Sequence, residues 1–292
     1  MTAREAIAEG KRALKSPCAK ALITTPDLDA HLLLAETMRL SKEELIIRGE
    51  TILTSDEREK FLELLERRMG GECVAYILGK REFRGLEFLV NPSVLVPRPD
   101  TELLVEAVLE KVELRNKTSA GEGTIRVLDL CTGSGAIAVS LKNEAPNLEL
   151  CATDISDETL ETARANARRH EMLESIRFYQ GHLFDALPDG LTFHVIASNP
   201  PYISSAEIER LPPEVQKEPR LALDGGKDGL GIIREIIAHA QDYLEPQGTL
   251  LLEAGPEQMK SVSQALEKNR YINIKTYNDL SGLERVIEGT KP

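Results

Sequence analysis

The sequence predicts an α/β protein with a doubly wound, seven-stranded sheet, preceded by a small all-α domain. The chain has 292 residues, of which 41% are hydrophobic, and this is enough for two domains with sizeable cores. Leu, Ala, Glu and Lys dominate residues 1–75, whereas residues 125–288 alternate strand-like and helix-like segments. We therefore expect a helical domain at 1–75, a β-hairpin linker at 76–98 and an α/β domain at 99–292.

Helix start signals recur through the first domain. Pro26 precedes an acidic turn, which is typical of a first helical turn. Ser41 and Glu44 have the spacing of a capping box, and Thr54 opens a further helix that Gly70-Gly71 ends. The domain shows no constellation of catalytic residues, so we expect it to bind a macromolecular partner.

The linker and the segment after it carry two short patterns. Glu82 to Val90 predicts two short strands that turn at Gly85. Val96 to Glu102 has two possible interpretations. Either Asp100 is the N-cap of the next helix, or this segment, which Pro97 and Pro99 make rigid, packs on the active site.

The α/β domain begins after a probable loop at Gly121 to Thr124. Ile125 to Leu130 is strand-like, Cys131 to Gly135 forms a glycine loop, and a helix follows. The next strand ends at Asp154, 19 residues after Gly135, where a carboxylate suits two ribose hydroxyls.

The remaining elements continue the alternation. We predict a helix at 157–170, strands at 176–179 and 193–197, a cap or substrate loop at 203–230, a helix at 230–244, a strand at 248–253, a helix from Pro256, and strands near 272–277 and 284–288.

The most informative stretch is the turn Ser198 to Tyr202. It follows a β-branched strand, and two successive prolines make its backbone stiff. Asn199 offers a carbonyl oxygen, Pro200 and Pro201 leave main-chain carbonyls without neighbouring donors, and Tyr202 adds a flat ring. These groups suit a planar NH2 group, although a strand-ending turn would explain any one of them alone.

Charge and cysteine content argue against several classes of protein. Residues 1–82 contain 14 Lys and Arg against 15 Asp and Glu, so nearly all of the net charge of −12 falls on the rest of the chain. An acidic second domain argues against direct nucleic-acid binding. The four scattered cysteines indicate neither a metal site nor disulfides, and no segment resembles a membrane span or a signal peptide. We expect a reduced, cytoplasmic monomer.

Together these motifs resemble class I S-adenosylmethionine-dependent methyltransferases, and within them the PrmC/HemK family. That family methylates the side-chain amide nitrogen (N5) of a glutamine in peptide-chain release factors, and thereby acts on translation termination. The resemblance covers essentially the whole chain, in the segments 75–79, 82–83, 96–102, 129–138, 199–202 and 218–229. It implies the methyltransferase form of the doubly wound sheet, S-adenosylmethionine as cofactor with S-adenosylhomocysteine as product, and release factors as partners.

The resemblance also implies roles for particular residues. The cofactor-binding residues would be Cys131, Thr132, Gly133, Ser134, Gly135, Asp154, Leu183 and Asn199. The glutamine amide would be bound by Asn199, Pro200, Pro201 and Tyr202, of which Asn199, Pro200 and Tyr202 would also serve catalysis. Cys131 replaces the first glycine that many methyltransferases have, so we expect no positive φ there. His182 stands where an acid near adenine is usual.

Two other functions remain open. The Asn-Pro-Pro-Tyr turn also occurs in DNA adenine-N6 methyltransferases, which the acidic charge opposes. Gly133 to Ala138 satisfies the dinucleotide pattern GxGxxG/A of NAD-dependent dehydrogenases, but no His or Lys proton donor for that reaction stands out.

Overall fold

A computed structural model describes residues 1–19, 23–118 and 123–292. The predicted loop at Gly121 to Thr124 therefore lies partly outside the described residues. The chain divides into two compact units, one formed by Met1–Lys80 with Arg210–Lys217 and the other by Arg81–Glu209 with Glu218–Pro292.

The first unit is helical. Its main helices are α1 Ala3–Leu14, α2 Pro26–Met38, α3 Lys42–Ile47, α4 Ser55–Met69 and α5 Val74–Leu78. Capping boxes begin α1, α3 and α4, and the two predicted helix starts at Ser41 and Thr54 are confirmed. The core consists of residues such as Leu33, Leu34 and Phe61, which are almost completely buried.

A buried ion pair lies in the same unit. Arg68 Nε donates to Asp29 Oδ2 at 2.7 Å, and the two side chains are only 5% and 4% exposed. A second Arg68 nitrogen donates to Glu214 at 2.6 Å. Glu214 belongs to the short helix α10 Pro213–Gln216, so one part of the predicted loop at 203–230 folds with the helical unit.

The predicted hairpin is confirmed as β1 Lys80–Phe83 and β2 Leu86–Leu89. Arg84 and Gly85 both have positive φ, 49° and 74°, as a two-residue turn of this hand requires. Phe83 and Phe88 are buried edge to face, with ring centroids 6.1 Å apart.

The second unit contains the predicted seven-stranded sheet. The strands are β3 Arg126–Leu130, β4 Glu149–Asp154, β5 Ile176–Gln180, β6 Phe193–Ser198, β7 Leu244–Glu253, β8 Ile272–Asn278 and β9 Glu284–Thr290. Their order is β5-β4-β3-β6-β7-β9-β8; β3 to β7 are parallel, and β9 is antiparallel to both of its neighbours. Strand order reverses between β3 and β6, which is where open α/β sheets bind ligands.

Helices cover both faces of the sheet. They are α6 Glu102–Thr118, α7 Ala136–Glu144, α8 Asp157–Arg169, the short α9 Ser205–Ile208, α11 Gly231–Tyr243 and α12 Met259–Lys268. Alternate strand residues separate the two cores: Val127 packs with the cluster that includes α6 and α7, whereas Leu128 packs with the cluster of α11 and α12. The predicted helices at 157–170 and 230–244 are confirmed, but β7 begins four residues before the predicted Gly248.

Candidate active site

A cavity of about 330 Å³ opens at the point where strand order reverses. Leu130 at the end of β3 is the register partner of Ser198 at the end of β6, so the glycine loop and the asparagine turn lie side by side. Eight of the eleven predicted site residues line this cavity, namely Cys131, Thr132, Gly133, Ser134, Asp154, Leu183, Asn199 and Pro201. Gly135, Pro200 and Tyr202 are outside its lining.

The glycine loop leaves β3 through a left-handed residue. Cys131 has φ 63°, so the expectation that it needs no positive φ is wrong. The reason is the bond that follows it: the Thr132 N–H donates to the Thr153 carbonyl at 2.9 Å, which turns the loop toward β4. Gly135 has a packing role, because a Cβ there would lie 3.2 Å from the Cβ of Ala163 in α8.

Asp129 is a buried acid that supports the glycine loop through hydrogen bonds. The sequence did not identify it as a site residue. Its Oδ2 accepts from the Thr132 hydroxyl at 2.6 Å and from the Ala138 N–H at 3.1 Å. Burial raises the pKa of Asp129 to about 7, and within the described residues Oδ1 has no hydrogen-bond partner. The signal in the sequence is a carboxylate that stands among the apolar residues Val127, Leu128 and Leu130 of a strand.

Asp154 at the end of β4 connects two loops. Oδ2 accepts from the Gly133 N–H and Oδ1 from the Ser156 N–H, each at 3.1 Å. Burial raises the pKa of Asp154, whereas these backbone donors lower it. Each carboxylate oxygen keeps acceptor capacity toward the cavity, so the residue can still receive two hydroxyl groups.

The far wall of the cavity follows β5. Leu183 lies there with φ 44°, and its side chain is buried. The neighbouring His182, which replaces the usual acid, pairs through Nε2 with Glu235 Oε1 at 2.8 Å.

Hydrogen bonds determine how the asparagine turn presents its groups. Asn199 Nδ2 donates to Thr101 Oγ1 at 3.0 Å, so the amide carbonyl Oδ1 is the atom left to accept. Ser198 Oγ donates to the Leu130 carbonyl at 2.6 Å, and Gln258 Nε2 donates to the Tyr202 carbonyl at 2.8 Å. The turn is therefore fixed at both ends.

The segment Val96 to Glu102 packs on the cavity. Pro97, Arg98 and Thr101 line it, which confirms the second of the two interpretations. Asp100 is not an N-cap: a single 3-10 turn, Pro99–Thr101, is capped at Arg98, and α6 begins at Glu102. Pro99 occupies the first position of the 3-10 turn, which proline favours, so the N-cap position falls on Arg98 instead of Asp100.

Glu218 fixes this segment from the predicted substrate loop. Its carboxylate accepts from Arg98 at 2.5 Å and from the Val96 N–H at 3.2 Å. Further along the loop Pro219, Leu221 and Ala222 also line the cavity, so this part of the loop does contribute to the site.

The described residues contain no cluster of His, Cys, Asp and Glu that could hold a metal ion. Across the same ranges we find no helix with the length and apolar character that crossing a membrane requires.

The fold and the site define a class I methyltransferase. Solved structures with this fold include a methyltransferase from Pyrococcus furiosus (TM-score 0.51, 19% identity, 77% of this chain and 96% of that one). Another is the 16S rRNA N2 G1207 methyltransferase from T. thermophilus (TM-score 0.52, 18% identity, 73% of this chain and 50% of that one). Family models of the PrmC N-terminal domain and of the methyltransferase small domain match residues 5–79 and 100–211.

Closer relatives define the family. The release factor glutamine methyltransferase of Burkholderia pseudomallei is 40% identical over 271 residues, with 91% of this chain and 92% of the relative covered. The one from Moorella thermoacetica is 37% identical over 286 residues, with 98% and 97% covered. This chain belongs to the release factor glutamine methyltransferase family.

Proposed function

We propose that this enzyme transfers the methyl group of S-adenosylmethionine to the side-chain amide nitrogen (N5) of a glutamine in peptide-chain release factors. The observation that carries the proposal is the orientation of Asn199, whose Nδ2 is bound to Thr101 so that its carbonyl oxygen is left to accept. A carbonyl oxygen held in this way suits an amide NH2 group. The relatives that share about 40% of this sequence carry the matching name.

The cavity fits the proposed cofactor. The carboxylate of Asp154 suits the ribose hydroxyls, and the loop Thr132 to Gly135 suits the methionine part, with Leu183 along the adenine. The methyltransferase of similar fold from T. thermophilus was solved in complex with AdoMet. When bound, S-adenosylmethionine supplies an activated methyl group on a positively charged sulfur.

The residues of the turn have to orient a poor nucleophile. The lone pair of an amide nitrogen is delocalised into its carbonyl group. If Asn199 Oδ1 and the Pro200 carbonyl each accept one N–H, the amide plane is fixed and electron density shifts toward nitrogen. Orientation of this kind can contribute about 7 to 11 kcal/mol. After methyl transfer the nitrogen carries one proton too many, which is acidic and leaves to water, so no strong base is needed beforehand.

A direct assay tests the proposal. The full chain is incubated with S-adenosylmethionine labelled in its methyl group, together with a bacterial release factor, and peptide mass spectrometry locates the label. We expect one methyl group on one glutamine, and none after that glutamine is replaced by Glu. Duplex DNA serves as the comparison substrate. Label in adenine and none in the release factor would refute the proposal in favour of a DNA adenine-N6 methyltransferase.

We also propose that the helical unit, which contains residues 1–75, docks the release factor. The isoleucines at the end of α3 support this, because Ile46 and Ile47 are 68% and 83% exposed in a unit that has no role in the cavity. Replacing both by Ser should raise the KM for the intact release factor and leave cofactor affinity unchanged. Leu114→Ser is the control, because Leu114 is an apolar side chain on α6 that is 55% exposed. An unchanged KM in the double variant would contradict docking through this surface.

A further inference from the structure

The glycine-rich end of the predicted substrate loop has no role in the mechanism above, although it lies against the asparagine turn. Residues 223–229 pair with Ile203, which directly follows the turn. The Ile203 N–H donates to the Leu223 carbonyl at 2.9 Å, and the Ile203 carbonyl accepts from the Gly225 N–H at 2.8 Å. Ile203 and Asp224 thereby form a parallel bridge. The backbone that leaves the turn is therefore held by this segment.

Two glycines of the segment approach the carbonyl groups of the turn itself. A Cβ on Gly225 would lie 2.7 Å from the Pro201 carbonyl oxygen and 2.5 Å from that of Gly229, whereas real Cβ atoms stay at least 3.0 Å away. A Cβ on Gly229 would overlap the Tyr202 carbonyl oxygen. Gly225 has a negative φ, so its backbone would accept a side chain and only the neighbouring carbonyl groups exclude one. Glycine is required here because the two backbones come so close.

A side chain that follows β7 adds a further contact to the turn. Gln258 Nε2 donates to the Tyr202 carbonyl at 2.8 Å, while Gln258 Oε1 accepts from the Gly255 N–H at 3.0 Å. The Tyr202 carbonyl and the Ile203 N–H belong to one planar peptide unit. Both polar groups of that unit are hydrogen-bonded, so the unit cannot rotate without breaking two bonds.

The glycine-rich segment is attached to rigid structure. The Gly225 carbonyl accepts from the N–H of Gly231, which is the first residue of α11, at 2.9 Å. Three side chains of α11 are completely buried in the core, namely Ile233, Ile236 and Ile237. Because a packed core resists displacement, the segment keeps a fixed position against the turn.

Proline by itself does not fix the turn completely. In Pro201 the ring fixes φ but leaves ψ free, so the peptide planes that follow can still rotate. We propose that Gly225, Gly229 and Gln258 are positioning residues that fix these planes. They thereby set the direction in which the ring of Tyr202 meets the substrate amide. This inference rests on the proposed function, because a glutamine amide is the group that the turn would receive.

Nuclear magnetic resonance of the full chain tests the positioning without any substrate. With tyrosine rings labelled with ¹³C, the Tyr202 signal is identified by its loss in Tyr202→Phe. We expect this signal to move in Gly225→Ala and to stay in place in Gly226→Ala. Gly226 is the matched control: its φ of 89° strains an alanine, but a Cβ there meets no described atom within 4 Å beyond its chain neighbours. A Tyr202 signal at its wild-type position in folded Gly225→Ala would overturn the proposal.

Steady-state kinetics with a release factor test the consequence. We expect Gly225→Ala to lower kcat at least tenfold, with the Kd for S-adenosylmethionine within threefold of the wild type. Cofactor affinity is kept because the loop Thr132 to Gly135 follows β3 and Asp154 ends β4, away from this segment. Gly226→Ala should lower the melting temperature and keep kcat within twofold. This split separates positioning from stability, and an equal fall of kcat in both variants would refute the positioning role.

Gln258→Met gives a second test, which also serves if Gly225→Ala does not fold. Met is similar in size to Gln but has no donor for the Tyr202 carbonyl, so the turn loosens without any added bulk. We expect the Tyr202 signal to move and kcat to fall at least threefold, with cofactor affinity kept. An unchanged Tyr202 signal would again overturn the proposal. If the wild type itself does not methylate release factors, the proposed function fails, and the Tyr202 signal still decides the positioning role.

Discussion

Replacing Asp154 by Asn should weaken the binding of S-adenosylmethionine by about ten- to hundredfold. Asn keeps the size of the side chain and one acceptor oxygen, but it loses the charge and brings an NH2 group. In the structure both Asp154 oxygens accept from backbone donors, Gly133 N–H on one side and Ser156 N–H on the other. An amide can serve only one of these donors, so either the glycine loop or the start of α8 loses its partner.

The magnitude follows from the loss of one charged contact to the ribose. A hydrogen bond to a charged group contributes about 1.5 to 3 kcal/mol, and about 1.36 kcal/mol corresponds to a factor of ten. Loss of one charged contact to the ribose therefore accounts for about a ten- to hundredfold change. Asp154→Ala should be at least as severe, because it removes the partners of both backbone donors together with the ribose contact.

Isothermal titration calorimetry of the full chain with S-adenosylmethionine measures this directly. Asp189→Asn makes the same chemical change at an exposed residue outside the cavity and should bind like the wild type. Circular dichroism confirms that each variant is folded. If folded Asp154→Asn binds with wild-type affinity, the ribose is not held at the end of β4 and the placement of the cofactor is wrong.

Four further predictions concern the turn and the buried charges. Asn199→Ala should lower the turnover number about a hundredfold or more, by analogy with the loss of one oxyanion-hole donor, while calorimetry finds cofactor affinity within a few-fold of wild type. Near-normal turnover would show that the turn is only structural. Tyr202→Ala should in addition raise the KM for the release factor, because the ring that would flank the amide plane is lost; an unchanged KM would argue against that stacking. Arg68→Met should lower the free energy of unfolding by about 3 to 5 kcal/mol in urea denaturation, because it leaves the buried Asp29 without its charged partner and with only the Thr25 hydroxyl as donor. A loss below about 1 kcal/mol would contradict this. Burial raises the pKa of Glu253 in the folded state from 4.5 to about 7. Between pH 4.5 and pH 7 the folded state therefore binds more protons than the unfolded state. The contribution of Glu253 to the free energy of unfolding then declines by about 3 kcal/mol as the pH rises through this range. Glu253→Gln should therefore flatten the fall in melting temperature between pH 5 and pH 8, and an equal fall in the variant would contradict the assignment.

Local patterns predicted most of the fold. Capping signals at Ser41 and Thr54, the glycine of the hairpin turn and the alternation of apolar segments each depend on a few neighbouring residues. The start of β7 depends instead on pairing with β6, where Phe193 is the register partner of Leu244 and the register then shifts before Val195. Periodicity along one strand does not show such a pairing, so the predicted start was four residues too late.

The same distinction between local patterns and distant contacts applies to the site residues. Asp154 and Asn199 were predicted as site residues because one ends a strand and the other follows one, and parallel strands end at the same edge of the sheet. Thr101 joins the site from a position 98 residues before Asn199, in the 3-10 turn ahead of α6. The segment 96–102 was expected to pack on the site, but nothing in its pattern shows that Thr101 is the residue that contacts Asn199. The positive φ of Cys131 was missed because it comes from a bond to the neighbouring strand, whereas the residue type suggested an ordinary backbone.

The groups around the cavity favour a protein amide over a nucleotide. The asparagine turn by itself accepts any planar NH2 group, so adenine and glutamine must be distinguished by what surrounds it. A nucleotide brings phosphates, which proteins neutralise with Lys and Arg. Among the described residues that line the cavity, the basic side chains are Arg98 and His182, and each is already paired with a carboxylate, Glu218 and Glu235 respectively. Phosphates would therefore have to displace Glu218 from Arg98 or Glu235 from His182 to bind there, whereas an uncharged glutamine side chain needs only the acceptors that the turn provides.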